Sequence, residues 1–119
     1  MNWFLAKMVY RITCGDGNHA AQFDEQLRLI KAVSKDEAFE KAKLIGKQEE
    51  DNFENVHQKP VRWEFINVCE LYPISSLVNG AELYSRIEEK TDGDQYIEII
   101  NKKAAMLKQS STHQILQLV

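Results

Sequence analysis

Proline and cysteine occur only twice each in this 119-residue chain, and histidine three times. With prolines only at Pro60 and Pro73, long stretches carry no residue that breaks a helix or a ladder. Two cysteines, Cys14 and Cys69, are too few for the disulfide framework of a small secreted domain. A reduced, cytoplasmic protein with two unpaired thiols is the expectation. None of Cys14, Cys69, His19, His57 and His113 is paired at the spacing of a structural zinc site, so no metal and no cofactor is expected. An excess of positive charge is also missing: 15 basic against 18 acidic residues leave a formal net charge of −3. Sequence-independent nucleic-acid binding needs a basic footprint, so no nucleic-acid partner is expected. No apolar run approaches the length of a membrane span, and Met1–Lys7 has no basic leader region. Neither a membrane nor a secretory route is expected.

The chain does contain alternation. Hydrophobic residues make up 44% and charged residues 28%, ordinary for one globular domain. The longest strand-like run is Val61–Tyr72. Its alternate set Val61, Trp63, Phe65, Asn67, Cys69 and Leu71 is expected to face the core, because side chains two apart share one side of a strand. The other set, which includes Ile66, Val68 and Tyr72, is expected to face away. Pro73 is expected to close this strand. Residues 2–13 alternate as well, with Phe4, Ala6, Met8, Tyr10 and Ile12 against Trp3, Leu5, Lys7, Val9 and Arg11. A Gly-rich loop and a second strand over about 21–33 follow. Pairing Ile12 with Ala21 makes a hairpin in which Phe23, Leu27 and Leu29 face the core with Glu25. Lys7 and Glu25 then lie on opposite faces.

Ser34-Lys35-Asp36-Glu37 is a capping box, in which the serine accepts from the third helical amide and Glu37 reaches back. The helix it opens is expected to run to about Asn52. Gly46 inside it costs roughly 1 kcal/mol relative to alanine, so a close approach to the sheet is its expected role. Ala81–Lys90 reads as a fourth strand. Asp94 is the expected N-cap of a second helix over 95–109, with Ile97, Ile100, Ala104 and Leu107 on one stripe. Residues 110–119 form an expected ordered C-terminal tail after a single domain of residues 1–109.

The order ββαββα predicts an α+β fold. Its mainly antiparallel four-stranded sheet has two helices packed on one face. The strand order 2-1-3-4 is favoured and 1-2-3-4 is the alternative. The helix-distal sides of the central strands then offer Trp3, Leu5, Val9, Ile66, Val68 and Tyr72, an apolar area of the kind that marks an interface.

These features resemble a bacterial family. Trp3 with Ala6-Lys7, Phe23 and Glu25 carry the resemblance. So do the alanine-bearing helix from Ser34 to Gly46, Glu49-Glu50, Asn55, the Val61-x-Trp63-x-Phe65 strand and Gly80-x-Glu82-Leu83-Tyr84-Ser85. Together they cover about residues 3–86 and look like domain-of-unknown-function family four-two-eight-eight. The resemblance implies the single-domain fold and no established activity, and the second helix and tail lie outside it.

Two functions are weighed. The first is a small cytosolic protein-interaction module acting as a homodimer through the apolar face, with a further protein partner possible in principle. The second is a small-ligand binder or modest enzyme, with a pocket between sheet and helices that uses Glu25, His19 and Tyr10. No set of residues has the pairing that would assign a catalytic role.

Overall fold

The computed structural model describes the backbone of residues 1–118 and the side chains of residues 1–109. Its elements are β1 (Asn2–Cys14), β2 (Gln22–Ala32), α1 (Lys35–Gln48), β3 (Asp51–Glu54), β4 (Pro60–Ile74) and α2 (Gly93–Leu118). All strand pairings are antiparallel, and the order is β2-β1-β4-β3. The chain divides into two compact units, Met1–Ser85 and a second from Arg86 onward.

The α+β class and the four-stranded antiparallel sheet are as expected, but the fourth strand is a different segment. Ala81–Lys90 forms no strand. The place beside β4 is taken by Asp51–Glu54, which pairs with Pro60–Trp63 where the helix was expected to continue. Helix α1 ends at Gln48, because the acidic run Glu49–Asp51 opposes the negative end of the helix dipole and β3 can pair at once. Gly80 turns the chain at φ 85°, and Tyr84 then packs edge-on to Tyr72 with ring centroids 5.7 Å apart.

Two β-bulges decide which β4 residues face the core. Lys7 opposes Glu70 and Met8 opposes Val68, which leaves Cys69 as an extra residue. Val9 opposes Asn67 and Tyr10 opposes Phe65, which leaves Ile66 extra. Each extra residue reverses the alternation of the strand. Val68 therefore turns inward and joins Phe65, Met8 and Tyr10 in the core, whereas Asn67 and Cys69 are exposed. The expected inner set holds at Val61, Trp63, Phe65 and Leu71 and fails at Asn67 and Cys69. Pro73 does not close the strand, since it pairs with Phe4. Beyond Trp63 no strand of the sheet covers the outer edge of β4, and there a missing amide hydrogen is tolerated.

The β1–β2 hairpin differs from expectation by one residue. Ile12 opposes Gln22, not Ala21, and Lys7 opposes Leu27. A slip of one exchanges the faces of a strand. Phe23, Leu27 and Leu29 consequently lie on the helix-distal face, while Asp24, Gln26 and Arg28 share the helix side with Ile30 and Ala32.

Helix α1 closes on the sheet through Ala38, Ala42 and Gly46, all buried. At Gly46 a Cβ atom would sit 2.3 Å from Cε1 of Phe65. The Tyr10 hydroxyl donates to the Gly46 carbonyl at 2.8 Å, and the Tyr10 and Phe65 rings meet edge-on at 5.7 Å. The capping box forms: Ser34 Oγ accepts from Glu37 N at 3.2 Å. The Glu37 carboxylate reaches one residue further back than expected, to Val33 N at 3.1 Å.

In the second unit, Asp92 rather than Asp94 caps α2, its Oδ1 accepting from Gln95 N at 2.9 Å. The helix runs through most of the segment expected as a tail, since nothing from Ser110 to Leu118 is a proline or glycine. The side chains of 110–119 and the backbone of Val119 lie outside the described residues.

Gly46→Ala is expected to destabilise the protein by up to about 2 kcal/mol in urea unfolding, because overpacking against Phe65 costs about 1–3 kcal/mol and outweighs a helix-propensity gain of about 1 kcal/mol. Ser34→Ala is expected to cost about 1 kcal/mol through loss of the cap, read in the same assay.

Candidate functional site

The helix-distal face of the sheet gathers the candidate functional residues. Its centre is a row of charged and phenolic groups across three strands. Lys7 Nζ lies 3.1 Å from Glu25 Oε2 on β2 and 3.0 Å from Glu70 Oε2 on β4. The Tyr72 hydroxyl donates to Glu70 Oε1 at 2.5 Å. Hydrogen bonding to Glu70 and then to Glu25 holds the Lys7 ammonium well above the usual lysine range. Hydrogen bonding to Glu70, aided by desolvation, likewise raises the Tyr72 phenol. Both groups are kept protonated, so neither is poised as a base or nucleophile near neutral pH. The row acts as a fixed charge pattern that ties β2, β1 and β4 together.

Apolar surface flanks this row. Phe23, Leu27 and Leu29 are 55%, 57% and 47% exposed. Arg11 lies over the Phe23 ring at 5.8 Å and Lys31 over the Trp3 ring at 5.4 Å. In both pairs the charged end itself lies over the aromatic face, where the ring quadrupole attracts it. At the other end of the face Leu5 and Ile74 are buried.

On the helix side a second polar row runs beside Tyr10. Asp24 Oδ2 accepts from Gln26 Nε2 at 2.6 Å and from the Trp63 indole at 3.1 Å. Gln26 Oε1 accepts from Arg28 Nε and Nη2 at 3.1 and 2.8 Å, and Arg28 reaches Glu49 at 3.8 Å. Glu50 Oε2 accepts from the amide of Phe65 at 2.9 Å. Two members of the acidic run Glu49–Asp51 thus have structural partners. Burial raises the Tyr10 phenol, which keeps it a donor to Gly46.

The expected interface residues divide. Trp3, Leu5, Val9 and Tyr72 lie on the helix-distal face, where register puts Leu5 opposite Tyr72. Ile66 is a bulge residue, 49% exposed. Val68 is in the core on the other side, turned there by the bulges. The surface gains Phe23, Leu27 and Leu29, which the assumed hairpin register hid. Matching the apolar sets of the two strands, Trp3, Leu5 and Val9 with Leu29, Leu27 and Phe23, would have found them.

The expected ligand residues are not brought together. Tyr10 is buried beneath α1, and Glu25 opposes Val9 on the other face. His19 sits in the hairpin loop, its Nε2 accepting from Cys14 N at 3.0 Å and its Nδ1 lying 2.7 Å from the Ala20 carbonyl. It lines a loop cleft of about 660 Å³ with Asp16, Asn18 and Lys59. A separate groove of about 460 Å³ runs between Phe39 of α1 and the Cys69 bulge. Lys7 and Glu25, expected on opposite faces, are ion-paired. The acid on the helix side is Asp24, one residue before Glu25, and the Trp63 indole donates to it. Among the described residues no group of three or more His, Cys, Asp and Glu is placed to hold a metal ion.

The sequence profile of the family described as Domain of unknown function (DUF4288) matches residues 3–85. The chain belongs to this family. The DUF4288 region ends where the first compact unit ends, at Ser85, so the sheet, α1 and the Tyr84 packing segment are the family's domain. Helix α2 lies beyond the match. No curated protein and no solved structure matches the chain. No helix of the described residues is long and apolar enough to cross a membrane.

Lys7→Met is expected to lower the urea midpoint at about pH 7, and that deficit is expected to shrink as pH rises above about 10.4. The folded value of Lys7 is raised, so its contribution is complete below the unfolded lysine value and is lost only as pH rises through the folded one.

Proposed function

We propose that this DUF4288 protein is a small cytosolic protein-interaction module that acts as a homodimer. The observation that supports this reading is the exposed apolar group Phe23, Leu27 and Leu29, set on the helix-distal face beside Trp3 and Val9. Apolar surface of this kind, rimmed by charge, is what partner-binding sites present. The hydrogen-bonded sheet gives such a surface a base, and the Lys7–Glu25–Glu70 row supplies a charge pattern that discriminates among partners. The small-ligand reading gains no support from Glu25, His19 and Tyr10, which occupy two faces and a loop. A symmetric pair is the commonest closed assembly among soluble homo-oligomers.

The test is native mass spectrometry and sedimentation of the full chain at tens of micromolar. A mass of twice the 13.8 kDa chain is expected. Leu29→Glu is expected to shift the population to monomer while leaving the far-ultraviolet circular dichroism unchanged, since Leu29 is already half exposed. A parent protein that stays monomeric across the concentration range would overturn the reading.

A further inference from the structure

The two edges of the sheet are guarded very differently. The β4 edge is blocked along its length. Strand β3 covers its first residues, and the Glu50 carboxylate occupies the amide of Phe65. Bulges at Ile66 and Cys69 then break its regularity, and Pro73 removes a donor near its end. These are the devices by which proteins prevent edge-to-edge pairing. The β2 edge has no proline, glycine or bulge. It runs eleven residues from Gln22 to Ala32 in unbroken register with β1, and its outer side pairs with no strand of the sheet.

We propose that two copies of the chain join through this edge, β2 against β2, antiparallel about a two-fold axis at Gln26. The inference rests on the homodimer reading and names its surface. The register follows from charge. An axis at Glu25 sets that carboxylate against its own copy, and an axis at Arg28 sets two guanidinium groups together; like charges directly opposite destabilise a pair. An axis at Leu27 places Asp24 against Ile30 of the other copy. An axis at Gln26 places Asp24 opposite Arg28 twice on the helix side and Phe23 opposite Leu29 twice on the distal side. The interface is then isologous, with both faces complementary, and the result is one eight-stranded sheet. The exposed Phe23 and Leu29 side chains gain partners, and the Lys7 row of each copy lies on the widened face.

Cysteine cross-linking tests the register. In the full chain with Cys14 and Cys69 replaced by serine, Gln26→Cys puts two thiols on directly opposed residues. Their Cα atoms would lie about 4.5–5.5 Å apart, within the range a disulfide spans. Leu27→Cys puts its thiols on a diagonal of about 7–8 Å, outside that range. Mild oxidation is expected to give a covalent dimer of Gln26→Cys at least about tenfold faster than of Leu27→Cys. Because Gln26 bridges Asp24 and Arg28, a second variant avoids that network: Phe23→Cys combined with Leu29→Cys, both exposed. These positions lie about 20 Å apart along one strand and cannot bond within a chain, so a covalent dimer requires the paired edges. A dimeric parent that forms neither cross-link, or that links faster at Leu27→Cys, overturns this interface and leaves the homodimer reading standing. A monomeric parent overturns both.

Discussion

The approach of α1 to the sheet at Gly46 is the constraint on which the rest of the first unit depends. There the helix has no side chain, so the Phe65 ring lies directly against its backbone. Tyr10 reaches the Gly46 carbonyl and braces Phe65 from the side. One glycine, one hydroxyl and one ring thus set the distance between the layers. A carbonyl near a helix end also finds a donor besides the solvent, which a buried polar group requires.

That close seat has consequences for β4. The strand must present Phe65 under Gly46 and Val68 and Leu71 further along, a spacing of three at each step. A regular strand repeats every two residues, so the bulges at Ile66 and Cys69 are what allow all three side chains to face inward. The same bulges roughen the outer edge of β4. The device that fits the core to the helix also protects that edge from pairing, and the regular β2 edge is left as the contrasting one.

The two sides of the sheet divide the chemistry. On the helix side, polar residues beyond the core are joined in a row from Trp63 through Asp24, Gln26 and Arg28 to Glu49. On the distal side, Lys7 is shared by two carboxylates, one of which also holds Tyr72. In both rows the groups satisfy one another. The apolar residues beside the distal row are the surface that folding within this unit leaves uncovered.

Much of the fold was legible because it is local. The capping box at Ser34, the alternation of β1 and the need for a small residue at Gly46 are written in neighbouring residues, and each formed. The faces of β1 and the inward set Val61, Trp63 and Phe65 followed from period two alone. Three features were decided elsewhere. The hairpin register depended on one residue of the Gly-rich loop, and a slip of one moved Phe23, Leu27 and Leu29 to the open face and brought Glu25 to Lys7. The inward turn of Val68 depended on bulges, which carry no side-chain signature and arise from fitting β4 to β1 and α1 together. The fourth strand depended on competition for one edge: Asp51–Glu54 reaches it through the short connection to β4, while Ala81–Lys90 has equal alternation and no such proximity. Sequence by itself determined the elements with strong local signals and the class of fold. Only the tertiary structure decided which residues share a face, because register, bulges and edge occupancy are properties of pairs of strands rather than of either strand alone.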